Sequence, residues 1–531
     1  MSGASARLAL CLQAATPALG AAQSATTVIQ HVTVIPMDRA GRLADRTVVV
    51  RNGVILDIVA ASIPVPAGAR RIDGRGKFLF PGLTDTHVHL EGNAESWLGL
   101  FLAHGVTTVF NLRGGPDQLT LRRRVAEGTL AGPTIYTSGP FANQPLIMTA
   151  EDGRRAVQEQ KAAGYDFLKI HGDLTEAAYA AVITAGREQG LTIIGHAPRN
   201  LPFDSVMSAR QPLVAHAEEL IYTKFWALDT TEVPRVAAAM AKAGVWLTPT
   251  LTTFAGIVAQ WGRLPAVDSA LAEPEGRTLP PALQQYWTGS NPYIGRPGGP
   301  DFVTRALAFQ RPMVGMLYRA GVPLLTGTDT PLPVMLPGHS LHQELRELER
   351  SGVDRAGALA AATVNPGRFI ATFVDHAARF GTITRGSRAD LVLVDRDPLL
   401  DPTALVHPSG VMARGRWFDR AELDRMAAAA AHGPAIAKVA PALKLTDAER
   451  QAYPGVFKAE SADLTVRVFD REGSLRLEVP GQPVFELVAT GPGRFAAAGS
   501  MWQIVLEFDE ARVVMIVNVN GSRYAVLRRA P

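Results

Sequence analysis

The residues best suited to chemistry are six polar side chains, each at or just beyond the end of a short apolar run. The runs have the β-branched and aromatic composition of strands. Imidazole and carboxylate groups that meet at the ends of parallel strands are suited to a borderline-soft divalent cation. The pattern therefore predicts a metal centre built from His87, His89, Lys169, His196, His216 and Asp329.

The positions of the histidines relative to the strands, rather than their number, indicate that they are metal ligands. His87 and His89 lie two residues apart in FLFPGLTDTHVH, so a strand would direct both imidazoles to one face. Taken alone, such a pair also fits hydrogen-bonded core positions. His196 and His216 end consecutive strand-like runs, and Asp329 ends a later run in TGTDT. This repetition of one position favours metal ligation over a structural role.

Lys169 stands inside the apolar run YDFLKI, where an unpaired ammonium is costly to bury. Taken alone, it fits an edge or outward-facing strand position equally well. Beside the histidines it also fits a lysine carboxylated by CO2. The two oxygens of such a carbamate can bridge two cations ~3.5–4 Å apart.

The elements that must position these residues follow from the order of strand-like and helical stretches. Over residues 79–375, eight strand-like runs alternate with helical stretches, which predicts an α/β protein with a (β/α)8 TIM barrel. The flanks, residues 27–78 and 376–425, have strand-type alternation and would form one small β domain. A helix and linker at 426–444 lead to residues 445–531, which predict an antiparallel sandwich or small barrel.

The segment between the seventh and eighth barrel strands, about residues 251–320, is unusually long for a barrel loop. It contains Trp261, Trp287 and Tyr293 together with several prolines. Long insertions of this kind are typical of lids and binding loops, so we expect it to cover the substrate. A contact between subunits is the alternative.

Composition excludes several classes of partner. The chain has 531 residues, 47% of them hydrophobic and 19% charged, and a formal charge of +4, as in globular proteins of more than one domain. The sequence has no basic stripe with interleaved aromatics, so nucleic acid is not an expected partner. Beyond the N-terminus no apolar run approaches the ~20 residues that span a bilayer. We expect a small-molecule substrate, and the sequence is compatible with a homo-oligomer.

The N-terminus, MSGASARLALCLQAATPALGAAQS, combines one arginine, a short apolar stretch and small residues near Ala22. This pattern predicts a signal peptide within residues 1–26 and a periplasmic or secreted enzyme. Gln13 and Pro17 interrupt the stretch, and the alternative is a disordered tail on a cytoplasmic protein. The single cysteine, Cys11, excludes an internal disulfide.

Several longer motifs accompany the six residues, namely FPGLTDTHVHL, GVTTVFNLRG, FLKIHGD, IGHAP, VAHAEE, LLTGTDT, ALAAATVNPGRF and GTITRGSRADLVLVDRDP. Residues 28 to about 425, which contain them, resemble the metal-dependent amidohydrolase superfamily, and within it the imidazolonepropionase/prolidase-like group. The resemblance implies a (β/α)8 barrel that carries a composite β-sandwich built from both flanks. It also implies two divalent cations, with zinc expected.

The resemblance assigns a role to each predicted ligand. His87, His89 and Asp329 would hold the more buried cation, and His196 and His216 the more exposed one. The carboxylated lysine would bridge the two cations. Asp329 would also carry the proton during the reaction, and no member of the ligand set is missing from the sequence.

Other polar residues near strand ends are candidates for substrate contact. His171 shares the strand face of the lysine, and Arg113 and Arg199 could hold a substrate carboxylate. His339 and His342 follow the last barrel strand and could line the mouth or cap a helix. A structural or solvent-facing position is the alternative for each residue.

The resulting hypothesis is a binuclear hydrolase of dipeptidase or N-acyl-amino-acid hydrolase type. A metal-bridging hydroxide would attack the carbonyl carbon, and an aspartate would serve as general acid and base. Hydrolysis of a lactone, cyclic amide or phosphoester on the same cations is an alternative. A non-catalytic binding protein with the barrel as scaffold is the alternative from another class.

Overall fold

The computed structural model describes residues 26–64, 66–296, 299–436, 438–459, 464–479, 484–500, 502–519 and 522–531. The predicted signal peptide or tail at residues 1–26 lies outside the described residues, apart from Thr26. Within the described ranges, every helix is too short or too polar to cross a bilayer.

The N-terminal flank consists of strands β1 (Thr26–Val34), β2 (Leu43–Arg51), β3 (Val54–Ala60), β4 (Arg70–Asp73) and β5 (Phe78–Pro81). β1 pairs antiparallel with β2 and parallel with β4 and β5. Alternate residues such as Ile29 and Val48 enter one buried apolar cluster, as expected for a sheet with one covered face.

The central barrel begins with parallel strands β6 (Leu83–Val88), β7 (Val106–Asn111), β8 (Thr134–Thr137), β9 (Phe167–Ile170), β10 (Thr192–Gly195), β11 (Leu213–Ala215) and β12 (Trp246–Thr248). A pairing of Ser138 with Phe167 joins the run β6–β8 to the run β9–β12. The predicted α/β barrel is therefore confirmed in its first seven strands.

The eighth barrel position is an extended segment rather than a regular strand. Leu324 pairs with Leu247 of β12, and Thr330 pairs with Val88 of β6, so residues 324–330 close the ring. Asp329 within this segment has a left-handed backbone, with φ of 54°, which interrupts a continuous ladder.

The helices between β6 and the end of the barrel are α1 (Leu98–Ala103), α2 (Pro116–Ala126), α3 (Ala150–Ala162), α4 (Glu176–Gln189), α5 (Phe203–Ala209), α6 (Glu218–Thr223), α7 (Val233–Ala243), α8 (Leu251–Gln260), α9 (Leu264–Ala272), α10 (Pro281–Gly289), α11 (Asp301–Arg319), α12 (His339–Arg350), α13 (Arg355–Ala361) and α14 (Val364–Phe373). The Thr149 hydroxyl accepts a hydrogen bond from the Asp152 amide in the first turn of α3, and Gly190 ends α4 in a left-handed conformation. The long segment after β12 is thus mainly helical, from α8 to α11.

The C-terminal flank returns to the first sheet with β13 (Leu391–Val394), β14 (Gly410–Ala413) and β15 (Arg416–Asp419), followed by helix α15 (Arg420–Ala431). β13 pairs antiparallel with β5, which gives the order β15-β14-β13-β5-β1-β2-β3 with β4 beside β1. Both flanks of the barrel therefore build one composite β domain, as expected.

The C-terminal part is a closed antiparallel barrel, hereafter the C-terminal barrel. A short helix, α16 (Asp447–Arg450), precedes β16 (Gly455–Ala459), β17 (Thr465–Arg471), β18 (Ser474–Glu478), β19 (Phe485–Gly491), β20 (Arg494–Ala498), β21 (Ile504–Phe508), β22 (Val514–Val519) and β23 (Ser522–Arg529). β23 pairs with β16 and closes the ring, as in the pairing of Lys458 with Arg528. Of the two all-β architectures that the sequence allows, the chain adopts the barrel.

Candidate metal centre

All six predicted ligands line one cavity of about 530 Å³ at the carboxyl ends of the central barrel strands. His87 lies in β6 and Lys169 in β9, and His196 and His216 directly follow β10 and β11. The carboxyl ends of parallel barrel strands meet at one rim. Residues from distant parts of the chain therefore converge there.

Asp329 contacts both histidines of β6. Its Oδ1 lies 2.9 Å from Nε2 of His89 and 3.3 Å from Nε2 of His87. The Nζ atom of Lys169 lies 3.4 Å from Nε2 of His87. Lys169 is fully buried and points into the cavity, so the outward-facing alternative is wrong.

His196 and His216 form the other side of the cluster. Their ring centroids are 4.8 Å apart, and the centroid of His216 is 4.4 Å from that of His87. Nδ1 of His216 lies 2.8 Å from the Thr250 hydroxyl. Nδ1 of His196 lies 3.1 Å from Oε1 of Glu219, which is fully buried. The Thr250 contact can fix the His216 ring, as polar partners do for histidine ligands, whereas Nδ1 of His196 lies close to Glu219 without hydrogen-bond geometry.

Two glycines leave the space that the ligands occupy. A Cβ atom on Gly195, at the end of β10, would lie 2.6 Å from Cδ of Lys169. A Cβ atom on Gly327 would lie 2.8 Å from Cβ of His87. Both distances are shorter than a normal carbon–carbon contact, so each glycine permits the close approach of a ligand.

Two of the predicted ligands have strained backbones. His216 and Asp329 have left-handed conformations, with φ of 77° and 54°. Non-glycine residues in this region cost free energy and persist where the surroundings hold them, often in active sites. Asp85 provides such support, because it accepts hydrogen bonds from the Thr328 amide at 3.1 Å and the Thr328 hydroxyl at 2.6 Å.

The protonation states favour ligation. Burial lowers the pKa of His87, His196 and His216 well below the ordinary histidine value, so the imidazoles are neutral at pH 7. Burial acts to raise the pKa of Asp329, but the hydrogen bond from His89 and nearby positive charge outweigh it and hold the pKa below its ordinary value. Burial also lowers the pKa of Lys169, to about 8.

This donor set fits a divalent cation. Potential ligand atoms of His87, His216 and Asp329 lie within 4.8 Å of one another. Neutral imidazole nitrogens and an ionised carboxylate are the ligands that zinc and similar cations take from proteins. The trio joins residues assigned to both predicted cation positions, so the two positions adjoin each other.

Two of the residues suggested for substrate contact also lie in the cavity. His171 lines it and stacks on Phe141, with ring centroids 4.1 Å apart. Arg113 lines it as well, with Nη1 3.2 Å from Oε1 of the buried Glu91. Both residues are therefore placed to meet a bound molecule.

Three other suggested residues lie outside the cavity lining. Arg199 is paired with Glu219, with Nη2 2.6 Å from Oε1. His342 Nε2 lies 3.0 Å from the backbone oxygen of His104, and the His339 ring packs against His104 with centroids 5.4 Å apart. The geometry thus gives these residues structural contacts, and their role in substrate binding stays a prediction.

Sequence reasoning missed several cavity residues. Glu218 lines the site, and burial raises its pKa to about 8. Tyr286 of the long helical insertion also lines it, beside Tyr293, which belongs to the cover expected from the sequence. The C-terminal barrel, which had no assigned role, contributes apolar side chains such as Phe485 and Val517. The available signal for these apolar residues was strand alternation, which does not distinguish a lining residue from a core residue.

The chain is similar in sequence to one protein family and to several curated proteins. An amidohydrolase family model matches residues 78–418. An adenine deaminase of Nitratidesulfovibrio vulgaris (strain DP4) is 28% identical over 193 residues, covering 30% of this chain and 34% of that protein. The match therefore spans about a third of that relative's length.

Solved structures share the fold. A Xaa-Pro dipeptidase with methionine bound in its active site superposes with a TM-score of 0.57 at 18% identity, covering 74% of this chain and 100% of its own. Bottromycin amidohydrolase superposes with a TM-score of 0.60 at 22% identity, covering 76% of this chain and 90% of its own. These structures support the same central barrel and flanking β domain.

Proposed function

The chain belongs to the amidohydrolase family and is a metal-dependent hydrolase of carbon–nitrogen bonds, and we propose that it cleaves an amide or peptide-like bond with two divalent cations, most simply zinc. A dipeptidase or an N-acyl-amino-acid hydrolase is the activity we expect. The observation that carries this proposal is the convergence of four imidazoles, one carboxylate and a buried lysine in a single cavity.

The ligands divide between two positions. His87, His89 and Asp329 would hold one cation, and His196 and His216 would hold the other. Divalent cations in such a site lower the pKa of bound water to ~7 and polarise a carbonyl group.

Lys169 is suited to carboxylation. Only a neutral amine reacts with CO2, and burial lowers the pKa of Lys169 to about 8, so neutral amine is available near pH 7. The carbamate would also replace the positive charge of the buried Lys169 ammonium by a negative charge. A negative group beside the imidazoles favours the binding of cations.

Asp329 is the proton carrier. Its carboxylate is ionised at neutral pH, because its pKa lies below the ordinary value. A carboxylate oxygen can accept a proton from the attacking water and return it to the leaving nitrogen. The contacts of Oδ1 with His87 and His89 hold the carboxylate at the rim of the barrel. The attacking water and the leaving nitrogen would lie at the same rim.

The first test combines metal analysis with a substrate screen. Elemental analysis of the purified full chain should give two equivalents of divalent metal. The screen contains dipeptides, N-acyl amino acids, lactones, cyclic amides and phosphoesters, and it includes adenine because of the adenine deaminase relatives. Turnover confined to lactones, phosphoesters or adenine would overturn the amide assignment.

Two variants test the assigned roles. Asp329→Asn should retain most of the metal and lower kcat by about 10²–10⁴-fold, since it removes a general acid and base. Asp268→Asn, at an exposed position, is the matched control. Lys169→Ala should lower metal content, and added acetate or propionate should partly restore it. Wild-type rates in both site variants would contradict the proposal.

A further inference from the structure

The cavity has two chemically different halves. One half carries the predicted ligands together with Glu91, Arg113 and Glu218. The other half is formed by ten side chains of the C-terminal barrel, all apolar or aromatic, including Val466, Leu477, Phe485, Ile504, Val517 and Val519. A bound molecule therefore meets charge at one end and hydrocarbon at the other.

The apolar half is the open end of the C-terminal barrel interior. Along β17, Val466 and Val468 are buried while Arg467 between them is exposed. Along β19, Phe485 and Leu487 are buried while Glu486 is exposed. Since side chains alternate between the two faces of a strand, Val466 and Phe485 belong to the inward rows that fill the barrel.

The C-terminal barrel is fixed in this position by contacts with the helical insertion. The Trp502 ring packs edge-on against Tyr286, with ring centroids 5.0 Å apart, and both side chains line the cavity. The Ser290 hydroxyl donates to the backbone oxygen of Gly499 at 3.4 Å. The barrel mouth thus faces the predicted cations as a wall of the same cavity.

We propose that the C-terminal barrel binds an extended apolar acyl group of the substrate, which makes the substrate class the N-acyl amino acids with long hydrocarbon chains. This inference rests on the proposed amide hydrolysis. The carboxylate of such a substrate requires a cation, and Arg113 supplies one in the polar half, whereas none of the ten barrel residues is charged. The acyl chain is therefore the part that enters the barrel mouth.

The closing experiment compares two substrate series on the metal-loaded full chain. In the first series the acyl group of N-acylglycines lengthens from two to twelve carbons, and in the second the amino acid of N-acetyl amino acids grows from glycine to leucine. Each buried methylene should raise kcat/KM by up to about fourfold, mainly through KM, in the first series. A flat first series, or a rise in the second series alone, overturns the inference.

Matched variants locate the effect in the barrel. Val517→Asp should lower the ratio of kcat/KM between the decanoyl and acetyl substrates by at least about tenfold, and the milder Val517→Thr by about two- to fivefold. Val526→Asp is the control, because Val526 lies on the outer face of β23, 37% exposed between the buried Ala525 and Leu527. An equal loss of the ratio in the control contradicts the assignment.

A binding measurement separates this inference from the proposed function. N-decanoylglycine titrated into the Asp329→Asn protein should change the fluorescence of Trp502, and the change should disappear in the Asp329→Asn, Trp502→Phe double variant. Affinity should increase with chain length. Absence of turnover for every dipeptide and every N-acyl substrate would sink the proposed function, whereas turnover of dipeptides alone or chain-independent affinity would sink only the barrel assignment.

Discussion

At the scale of single residues, Glu219 connects the metal centre to the surrounding protein. Its carboxylate is fully buried between His196, 3.1 Å away, and Arg199, 2.6 Å away. Arg199 also lies over the Tyr222 ring, 4.3 Å from the centroid. The Glu219 charge lies close enough to influence the His196 imidazole, although Nδ1 lacks hydrogen-bond geometry, and Arg199 compensates the charge of Glu219.

Glu219→Gln should lower metal affinity by roughly 10–100-fold, because partners behind a histidine ligand set its orientation and basicity. The measurement is competition with a chelator of known affinity. Glu159→Gln, at an exposed position, is the matched control. Arg199→Gln should change metal affinity less than Glu219→Gln, and an equal effect of both would show that loss of the ion pair alone explains the result.

The sequence predicted which residues meet in the cavity but not their partners. His196 and His216 directly follow strands, and the carboxyl ends of barrel strands lie at one face. Residue type and position along the chain therefore suffice to predict that the two imidazoles lie close together. Glu219 lies in the first turn of α6, and its burial depends on how that helix returns to the rim. Arg199 follows a strand in the same manner as a ligand, yet its guanidinium turns to Glu219 instead of the cavity.

At the scale of elements, the closing segment of the central barrel depends on Gly327. A Cβ atom there would lie 2.5 Å from Cγ2 of Thr248 and 2.8 Å from Cβ of His87. The segment can therefore approach β6 and β12 only without a side chain at this position. The sequence predicted a strand here, whereas the geometry is an extended segment held by two pairings.

Gly327→Ala should destabilise the protein by roughly 1–3 kcal/mol, as expected for overpacking in a filled core, and it should weaken metal binding because His87 must shift. Thermal unfolding and chelator competition measure the two effects. Gly289→Ala is the control, because a Cβ atom at Gly289 meets nothing within 4 Å. A neutral Gly327→Ala variant would show that the segment has room to relax.

Another element-scale feature is the attachment of α8 to α12 by Glu344. The Thr252 amide at the start of α8 donates to Oε2 of Glu344 at 2.7 Å, and the side chain is fully buried. Burial raises the pKa of Glu344 to about 8. Between the ordinary glutamate pKa of ~4.3 and about 8, the folded state holds a proton that the unfolded state has lost.

Stability should therefore fall as pH rises through this window, by at most ~1.4 kcal/mol per pH unit from this group. Glu344→Gln keeps an acceptor for the Thr252 amide and removes the titration. The melting temperature of this variant minus that of the wild type should increase from pH 6 to pH 8. Glu188→Gln, at an exposed position, should show no such increase, and parallel curves for Glu344→Gln would contradict the assignment.

At the scale of the whole molecule, the sequence predicted each folded unit but not their arrangement. Strand–helix alternation predicted the central barrel, and period-two alternation predicted the C-terminal all-β part. Neither pattern predicts which end of the C-terminal barrel faces the central barrel. Phe485 and Val517 reach the cavity through packing between the two barrels. Contacts of this packing, such as Tyr286 with Trp502, have no local sequence signal.

The separate apolar cores of the central and C-terminal barrels lead to a prediction for metal removal. A cation that binds only the folded central barrel at 1,000 times its Kd stabilises that barrel by ~4 kcal/mol. Chelation should therefore lower the midpoint of its calorimetric transition by roughly 5–7 °C at a fixed scan rate, because a unit of about 300–400 residues has a large entropy of unfolding. The C-terminal barrel contains no histidine or cysteine, so its own transition should move far less.

Zinc added back after the chelator is removed should restore the first midpoint, and the Lys169→Ala protein should respond weakly to either treatment. Two transitions that shift by the same amount would show that the barrels unfold as one cooperative unit, with the Tyr286–Trp502 contact coupling them. A central transition that does not change on chelation would contradict the proposed metal centre, because removal of a cation bound only to the folded barrel must lower its melting temperature.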